Sequence, residues 1–397
     1  MSMGAVREAA PVDTIARARA LAPLLAAHAA RIEAERTLTP EVVAALHEAG
    51  LFRMLLPRSI GGAEVPPLQF VQAVEELAKA DASTAWVVAQ TSICSTLSAS
   101  LRPEVAREIF GCHTVLSWGP FSPKGRAVAD PAGYRVTGAW SFASGSRHAD
   151  WMAAHCPIYE ADGRPRLNAD GTQADVTVIF PKGSATFADT WQVMGLKGTG
   201  SDSYAVTDLL VPTERTMNSY GKDPARKFER GPLYQFTVFQ LFPATFASIA
   251  LGIGRATLDG FVELAKGKKP THAPSILRDN ASIQSQVGLS ETQLASARVY
   301  LHHVLDNMYQ EMSRSGAASM DMRIGLRMAA SNVSYLSREV VERCYHAAGA
   351  TAIFESNPFE RRFRDLHAVS QQVQSHFSQF EAVGQHFLGL PPQSKFI

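Results

Sequence analysis

A short stretch in the middle of the chain, WSFASGSRHADW at positions 140–151, combines aromatic, hydroxyl and imidazole side chains. Its tryptophans and phenylalanine can exclude water from a cavity. The hydroxyl of Ser144, beside a glycine, can hydrogen-bond to a bound molecule, and His148 is of the residue type that moves protons near neutral pH. A strand and turn with ordinary aromatic packing, and a histidine bonded to a turn carbonyl, would produce the same pattern. Both interpretations stay open from the residues alone.

Two other groups of residues carry weaker signals. The segment 195–201, GLKGTGS, contains glycines and hydroxyls but is not followed by a helix, so it does not predict a Walker-type phosphate loop. His302 and His303 point to two faces of a predicted helix and lack a third ligand at metal spacing. We therefore predict no metal site.

Charge and cysteine content restrict the class of protein. The 397 residues include 38 Lys and Arg against 37 Asp and Glu, for a formal net charge of +1. Without a basic or acidic block, we expect neither nucleic acid nor a membrane surface as partner. The four cysteines are far apart and form no CxxC pair, which favours buried apolar thiols in a reducing compartment. They are Cys94, Cys112, Cys156 and Cys344.

The N-terminal segment alternates charged residues with alanine and leucine and has no uninterrupted apolar core or cleavage-like site. We interpret it as a helix of a cytoplasmic protein. No other stretch approaches the roughly 18 continuous apolar residues of a membrane-spanning helix.

Periodicity divides the chain into three zones. From Asp13 to about Phe110 the apolar residues recur at helical spacing, and Thr39 is placed to cap a helix that begins at Pro40. Short β-branched runs separated by turn residues follow, as in antiparallel strands. The helical period returns from Tyr234 to the end of the chain. We predict a helical domain at 1–113, a β-domain at 114–228 and a helical bundle at 229–397.

Four segments, in the right order, resemble the acyl-CoA dehydrogenase superfamily over nearly the whole chain. They are LHEAGLFRMLLPRSIGGAEVPPLQFVQAVEELAKADASTAWVV, WQVMGLKGTGSDSYAVTDLLVP, ASIALGIGRATLDGF and AAGATAIFESNPFERRFRDLH. The resemblance implies an α+β, mostly α fold, with an N-terminal helical domain, a central antiparallel β-domain and a C-terminal four-helix bundle. It also implies a flavin between the β-domain and the bundle, and a homotetramer in which a neighbouring subunit completes the site.

The dehydrogenase branch requires a carboxylate base, which family members place just after a late Arg-Asp pair. Here the pair is Arg364-Asp365, and no acidic residue follows until Glu381. The first bundle helix offers no glutamate in the segment where some members carry it. In contrast, WSFASGSRHADW matches a string typical of the flavin-dependent monooxygenases of this superfamily at every fixed position, and the loop at 119–127 also resembles theirs.

The resemblance therefore favours the oxygenase component of a two-component monooxygenase, similar to p-hydroxyphenylacetate hydroxylase or dibenzothiophene monooxygenase. Such a protein takes reduced FMN or FAD from a separate flavin reductase, adds O2 to form a C4a-hydroperoxyflavin, and oxygenates a small aromatic or heteroaromatic substrate. The alternatives are an FAD-dependent acyl-CoA dehydrogenase-like oxidoreductase acting on a CH–CH group, and a noncatalytic flavin- or acyl-binding protein on the same scaffold.

Residue roles follow from the resemblance. The predicted flavin-binding residues are Trp140, Phe142, Ser144, Gly198 and Arg278. The predicted substrate-binding residues are Trp118, Phe242 and Phe246.

The predicted catalytic residues are Ser144, His148, Gln372 and His376. Several relatives place a histidine where this chain has Gln372, and an amide cannot take a proton from the substrate. His376, one helical turn later, could compensate, whereas His367 is expected to point away. Both histidines could equally be solvated, and a substrate oxygenated at nitrogen or sulfur would need no base.

Overall fold

The computed structural model describes residues 13–111, 113–119, 125–218 and 227–394. Cys112 and residues 120–124 of the loop at 119–127 lie outside the described residues. Cys94, Cys156 and Cys344 are free and buried.

The first part of the chain is helical. Its helices are α1 (Thr14–Ala20), α2 (Ala22–Glu35), α3 (Pro40–Glu48), α4 (Pro67–Ala80), α5 (Ala82–Ser95) and α6 (Pro103–Ile109). The side chain of Thr39 accepts a hydrogen bond from the backbone N–H of Val42, with Pro40 at the first position of α3, which confirms the predicted cap. Helix α5 is buried along almost its whole length, because it packs against helices of both helical domains and against strand β1.

Eight strands form the central domain. They are β1 (Leu116–Trp118), β2 (Arg126–Asp130), β3 (Gly133–Ala143), β4 (Trp151–Tyr159), β5 (Asp175–Pro181), β6 (Thr186–Ala188), β7 (Asp202–Pro212) and β8 (Thr216–Asn218). The strand order is β6-β7-β3-β2-β4-β5-β8, with β1 also paired to β4. The domain has its own apolar core around Trp140, Tyr204 and Phe180.

The prediction of an antiparallel β-domain is corrected in one respect, because the sheet is mixed. Strands β1 and β2 both pair with β4 in parallel. Since β2 and β3 form an antiparallel hairpin and the chain reverses again before β4, β4 runs in the same direction as β2 and pairs with it. Turn residues predict such reversals of direction, but they do not determine which strands become neighbours.

The last part is a bundle. Its helices are α7 (Val238–Gly267), α8 (Ala281–Ser315), α9 (Met320–Ala348), α10 (Phe359–Val369) and α11 (Gln379–Phe387). The three long helices and α10 make the predicted four-helix arrangement, and α11 packs against α9. Helix α7 is apolar and long enough to cross a membrane, but 94% of its most apolar window is buried inside the protein, as in a core helix. Helices α4 and α5 pack on α7, so both helical domains share one core.

Candidate active site

A cavity of about 980 Å³ lies where the three domains meet. Helix α5 and helix α7 form its apolar side. The β-domain wall consists of Phe142, Ser144, residues 191–196 and Ser201, and the C-terminal wall consists of residues 363–374 that border the cavity. Six predicted site residues line it: Trp118, Phe142, Ser144, Phe242, Phe246 and Gln372.

Stacked aromatic rings cover the apolar side. Trp86 of α5 stacks on Phe246 of α7 at a centroid distance of 4.5 Å, and Phe246 stacks on Phe242 at 5.5 Å. Trp118 at the end of β1 contacts Phe242 at 5.8 Å and meets His155 edge-on at 4.8 Å. The four aromatic side chains other than histidine are at most 8% exposed, so this side of the cavity is apolar.

An irregular strand end aims Ser144 at the cavity. Phe142 has a φ of 60°, and the pairing of β3 with β7 shifts register between Trp140 and Ala143. A left-handed backbone at a non-glycine residue is strained and often marks a functional site. The N–H of Ser144 bonds back to the carbonyl of Phe142 at 2.8 Å, and Ser117 Oγ donates to the carbonyl of Ser144 at 2.8 Å. These bonds fix the backbone of Ser144.

The hydroxyl of Ser144 belongs to a chain of hydrogen bonds. Trp86 Nε1 donates to Ser144 Oγ at 3.0 Å, and Ser144 Oγ lies 2.7 Å from Ser201 Oγ. Ser201 Oγ lies 2.7 Å from Thr199 Oγ1, which donates to the carbonyl of Leu196 at 2.8 Å. Every member is buried, so these hydroxyls are held by each other and not by bulk water.

The loop that carries this chain is held from several sides. Leu196 has a φ of 53°; its N–H donates to Asp365 Oδ1 at 2.7 Å, and its carbonyl also accepts from Trp191 Nε1 at 3.0 Å. A Cβ at Gly195 would lie 2.2 Å from the carbonyl oxygen of Arg364. The loop therefore packs directly on α10, and only glycine permits that approach.

Glutamine and histidine side chains occupy the C-terminal wall. Gln372 Oε1 accepts the N–H of Gln374 at 2.5 Å, which leaves the NH2 group of Gln372 as a donor for a bound molecule. Gln374 Oε1 is buried and has no hydrogen-bond partner within the described part of the chain. His367 also lines the cavity, and its Nε2 lies 3.5 Å from Glu342 Oε1.

The electrostatics of the wall favour neutral groups. Burial lowers the pKa of His367, and Glu342 opposes this effect, so the imidazole is neutral at pH 7. Behind the wall, burial raises the pKa of Asp365 to about 7, against the hydrogen bond from Leu196. Among the described residues that line the cavity there is no carboxylate.

Five predicted site residues do not line the cavity, and the first three are Trp140, Gly198 and Arg278. Trp140 is in the β-domain core, where it stacks on Tyr204, because the register shift between Trp140 and Ala143 gives Phe142 and Ser144 a different side-chain direction. Gly198 contacts α2 and α5: a Cβ there would lie 2.2 Å from Ile32 Cγ2. Arg278 is exposed in the turn before α8 and does not line the cavity. Its predicted contact with flavin across a subunit boundary stays a prediction.

His148, a predicted catalytic residue, lies away from the cavity. Its Nε2 accepts the N–H of Leu38 at 3.2 Å and lies 3.2 Å from Thr37 Oγ1, and the ring does not line the cavity. Burial is the main cause that lowers its pKa to about 4, so the ring stays neutral and accepts hydrogen bonds. His148 joins the β-domain to the segment before α3.

The helical position expected for His376 is wrong, and its catalytic role stays a prediction. Helix α10 ends at Val369, so residues 370–378 are not helical and His376 does not share a helix face with Gln372. Its Nδ1 accepts the N–H of Ser378 at 3.2 Å, outside the cavity. His367, expected to point away, lies on the wall instead.

Sequence reasoning missed Trp86, Trp191 and His155. Trp86 lies in a segment used only for the resemblance, and a tryptophan on a fully buried helix gives no signal of facing a cavity. His155 lies inside a strand, with Nδ1 2.8 Å from Thr177 Oγ1. Its strand position resembles that of any core residue.

The cavity suits the flat ring of a flavin. Its volume is in the range of small-molecule sites, and it combines aromatic faces with a few placed polar groups. The hydroxyls of Ser144 and Ser201 can bond to ring nitrogens. The unpartnered amide oxygen of Gln374 is the kind of buried polar atom that a ligand or an ordered water satisfies.

Comparisons with known proteins identify the family of the chain. Residues 15–108 match the family described as Acyl-CoA dehydrogenase, N-terminal domain, and residues 244–377 match Acyl-CoA dehydrogenase, C-terminal domain. The chain is 26% identical to an indole-3-acetate monooxygenase of Pseudomonas putida, over 97% of both chains. It is 27% identical to the oxygenase component of an FADH(2)-dependent resorcinol hydroxylase of Rhizobium sp., over 97% of this chain and 96% of the relative.

A solved structure extends the likeness to three dimensions. The HsaA monooxygenase of Mycobacterium tuberculosis superposes with a TM-score of 0.87 at 25% identity, over 97% of this chain and 99% of that chain. These findings confirm the superfamily and the arrangement of domains predicted from four sequence segments.

Proposed function

Because the chain belongs to the acyl-CoA dehydrogenase superfamily and its curated relatives include oxygenase components of flavin-dependent monooxygenases, we propose that it is such a component. It would use reduced FMN or FAD and O2 to oxygenate a small aromatic or heteroaromatic molecule.

One observation carries this proposal. The cavity combines stacked aromatic walls and buried hydroxyls, and none of its described lining residues is a carboxylate. An acyl-CoA dehydrogenase needs a base over the substrate. Asp365 is the nearest candidate by sequence, but it lies behind the wall with Oδ1 bonded to Leu196. The geometry therefore favours oxygenation over dehydrogenation.

The residues of the chain would divide the work. Reduced flavin, when bound, supplies the electrons that activate O2 for transfer of one oxygen atom. Trp86, Phe242 and Phe246 exclude water from the site, which protects reactive species from hydrolysis. Ser144 Oγ holds the flavin edge, and the NH2 group of Gln372 orients an acceptor atom on the substrate.

His367 is the proton acceptor that this proposal favours. It lines the cavity, and its lowered pKa keeps the ring neutral at pH 7, so it can take a proton from an acidic substrate hydroxyl. This would supply the proton transfer that the resemblance implies for a histidine at the position of Gln372.

Partners and assembly extend the proposal. A separate reductase would supply the reduced flavin. Exposed apolar side chains on α11 and the segments beside it favour association with further copies, in line with the homotetramer expected from the resemblance. They are Val373, Phe377, Phe387, Leu388 and Leu390. The cytoplasmic location stays a prediction.

The test is anaerobic mixing of the protein with reduced FMN or FAD, followed by O2 in a stopped-flow spectrometer. We expect a transient near-ultraviolet absorbance that outlasts the same mixture without protein. Return to oxidised flavin at the protein-free rate, together with reduction of bound FAD by acyl-CoAs, would contradict the proposal and support the dehydrogenase alternative.

A further inference from the structure

The hydroxyl chain at the β-domain wall has a direction. A carbonyl oxygen can only accept, so the hydroxyl proton of Thr199 is committed to the carbonyl of Leu196, 2.8 Å away. Thr199 Oγ1 must then accept from Ser201, 2.7 Å away. Ser201 has no second proton, so it accepts from Ser144.

This direction determines what Ser144 offers to a ligand. Its oxygen already accepts from Trp86 Nε1 at 3.0 Å, and its single proton points to Ser201. A hydroxyl has one donor and two acceptor positions, so one lone pair remains. Because Ser144 borders the cavity, it meets a bound molecule as an acceptor.

We propose that Thr199 and Ser201 are positioning residues that orient the Ser144 hydroxyl as an acceptor, so that the cavity selects reduced over oxidised flavin. Reduced flavin carries a hydrogen on N5, whereas oxidised flavin has a lone pair there. An acceptor at this point attracts the first and repels the second. This inference rests on the proposed function, in which Ser144 holds the flavin edge, and it assigns N5 as the ring atom that Ser144 meets.

The same arrangement explains why the loop is held so firmly. Leu196 receives support from Asp365 at its N–H and from Trp191 at its carbonyl. These contacts fix the carbonyl of Leu196, which is the last acceptor in the series of hydrogen bonds. Because this acceptor is fixed, the three hydroxyls all donate towards Leu196. The cost of reversal is the loss of the Thr199 bond to Leu196, so the orientation is a preference that a single substitution can change.

Thr199→Val tests the idea because it keeps the β-branched shape and removes the terminal hydroxyl. The proton of Ser201 then loses its acceptor and turns to Ser144, whose own proton becomes available to the cavity. Ser201→Ala releases the Ser144 proton by a second route, should the first variant fold poorly. Thr199→Ser keeps the hydroxyl. Thr257→Val is the matched control, since Thr257 is a buried threonine of α7 that bonds to Ile253 away from the cavity.

The measurement is the ratio of dissociation constants for oxidised and anaerobically reduced FMN and FAD, by equilibrium ultrafiltration. We expect the wild type to bind the reduced form more tightly, and Thr199→Val and Ser201→Ala to lower that preference about tenfold, the effect of one hydrogen bond. Thr199→Ser and Thr257→Val should retain the wild-type ratio.

Different results would contradict the orienting role and the proposed function. Equal weakening of both redox forms in Thr199→Val, or an unchanged ratio, overturns the orienting role and leaves the proposed function standing. A wild type that binds neither form of either flavin overturns the proposed function itself.

Discussion

On the β-domain wall the polar groups bond to one another, from Ser144 through Ser201 and Thr199 to Leu196, in a buried chain. On the C-terminal wall they come from the end of α10 and the turn after it, and Gln372 keeps its NH2 group available. The first wall presents one fixed pattern, as recognition of an invariant cofactor requires. The second can differ between proteins of the same fold without disturbing the cofactor, which suits recognition of different substrates.

Asp365 joins the two walls, and its removal gives the largest expected effect. Its pKa is raised to about 7, chiefly by burial, with Asp81 and Glu33 adding to the effect and the N–H of Leu196 and Arg361 opposing it. A raised carboxyl pKa means that the fold prefers the protonated form. The resulting stability is present below about pH 4 and is lost as pH rises through about 7.

Asp365→Asn should therefore remove this loss, because the amide oxygen still accepts from Leu196 and cannot ionise. Relative to wild type, the free energy of unfolding of the variant should rise between pH 4 and pH 7 by on the order of 4 kcal/mol. Chemical denaturation at several pH values measures it. A constant difference between variant and wild type across this range would show that Asp365 is ionised in the folded protein.

For His148 we expect the free energy of unfolding to change with pH in the opposite direction. Its pKa is lowered to about 4, so the fold prefers the neutral ring that accepts from Leu38. The stability is present above pH 6.5 and is lost as pH falls toward 4. His148→Gln, whose amide oxygen can accept the same bond, should lack this acid loss, on the order of 2 kcal/mol by denaturation at pH 7 and pH 4.5. Parallel curves for the two proteins would contradict the assignment.

Ser144→Ala tests the function of the β-domain wall directly. It removes the proposed acceptor for the flavin and leaves Trp86 Nε1 without its bond, so the near-ultraviolet transient should decay on the order of 10- to 100-fold faster in stopped flow. Ser146→Ala is the control, because Ser146 is a buried neighbour whose hydroxyl has no hydrogen-bond partner among the described residues. Equal decay rates in both variants would remove Ser144 from the mechanism.

The two walls also differ in how far the sequence predicted them. Ser144 and Phe142 lie in a contiguous string with a strong family pattern, and both line the cavity. The string did not reveal that Trp140 faces away, because a register shift in β3 between Trp140 and Ala143 decides which side chains point inward. It also did not reveal that His148 faces away, because the bond of His148 to Leu38 joins segments far apart in sequence.

Prediction on the C-terminal wall failed for a different reason. The helical-face argument for His376 required α10 to continue, but it ends at Val369. Arg327 of α9 binds the carbonyls of Gln374 and Phe239, so a distant guanidinium holds the turn after α10. Such a contact between elements far apart in sequence gives no local signal. The superfamily could be predicted from the sequence, because its segments are contiguous.

Substitution of Gln372 has the smallest expected effect. It also distinguishes most clearly between the functions of the two walls. Gln372→Leu removes the NH2 donor and the acceptor for the N–H of Gln374, while the apolar contacts remain. The KM for an aromatic probe with an oxygen acceptor should rise about fivefold to tenfold, as for loss of one hydrogen bond. Affinity for reduced flavin should stay unchanged.

Steady-state turnover with indole-3-acetate and resorcinol, supplied with chemically reduced flavin, measures the first quantity, and anaerobic ultrafiltration measures the second. Ser144→Ala should give the converse result, with the flavin constant changed and the KM for the probe retained. If Gln372→Leu weakens flavin binding as much as probe binding, the C-terminal wall also holds the cofactor. The division of labour between the two walls would then be wrong, because both would recognise the same molecule.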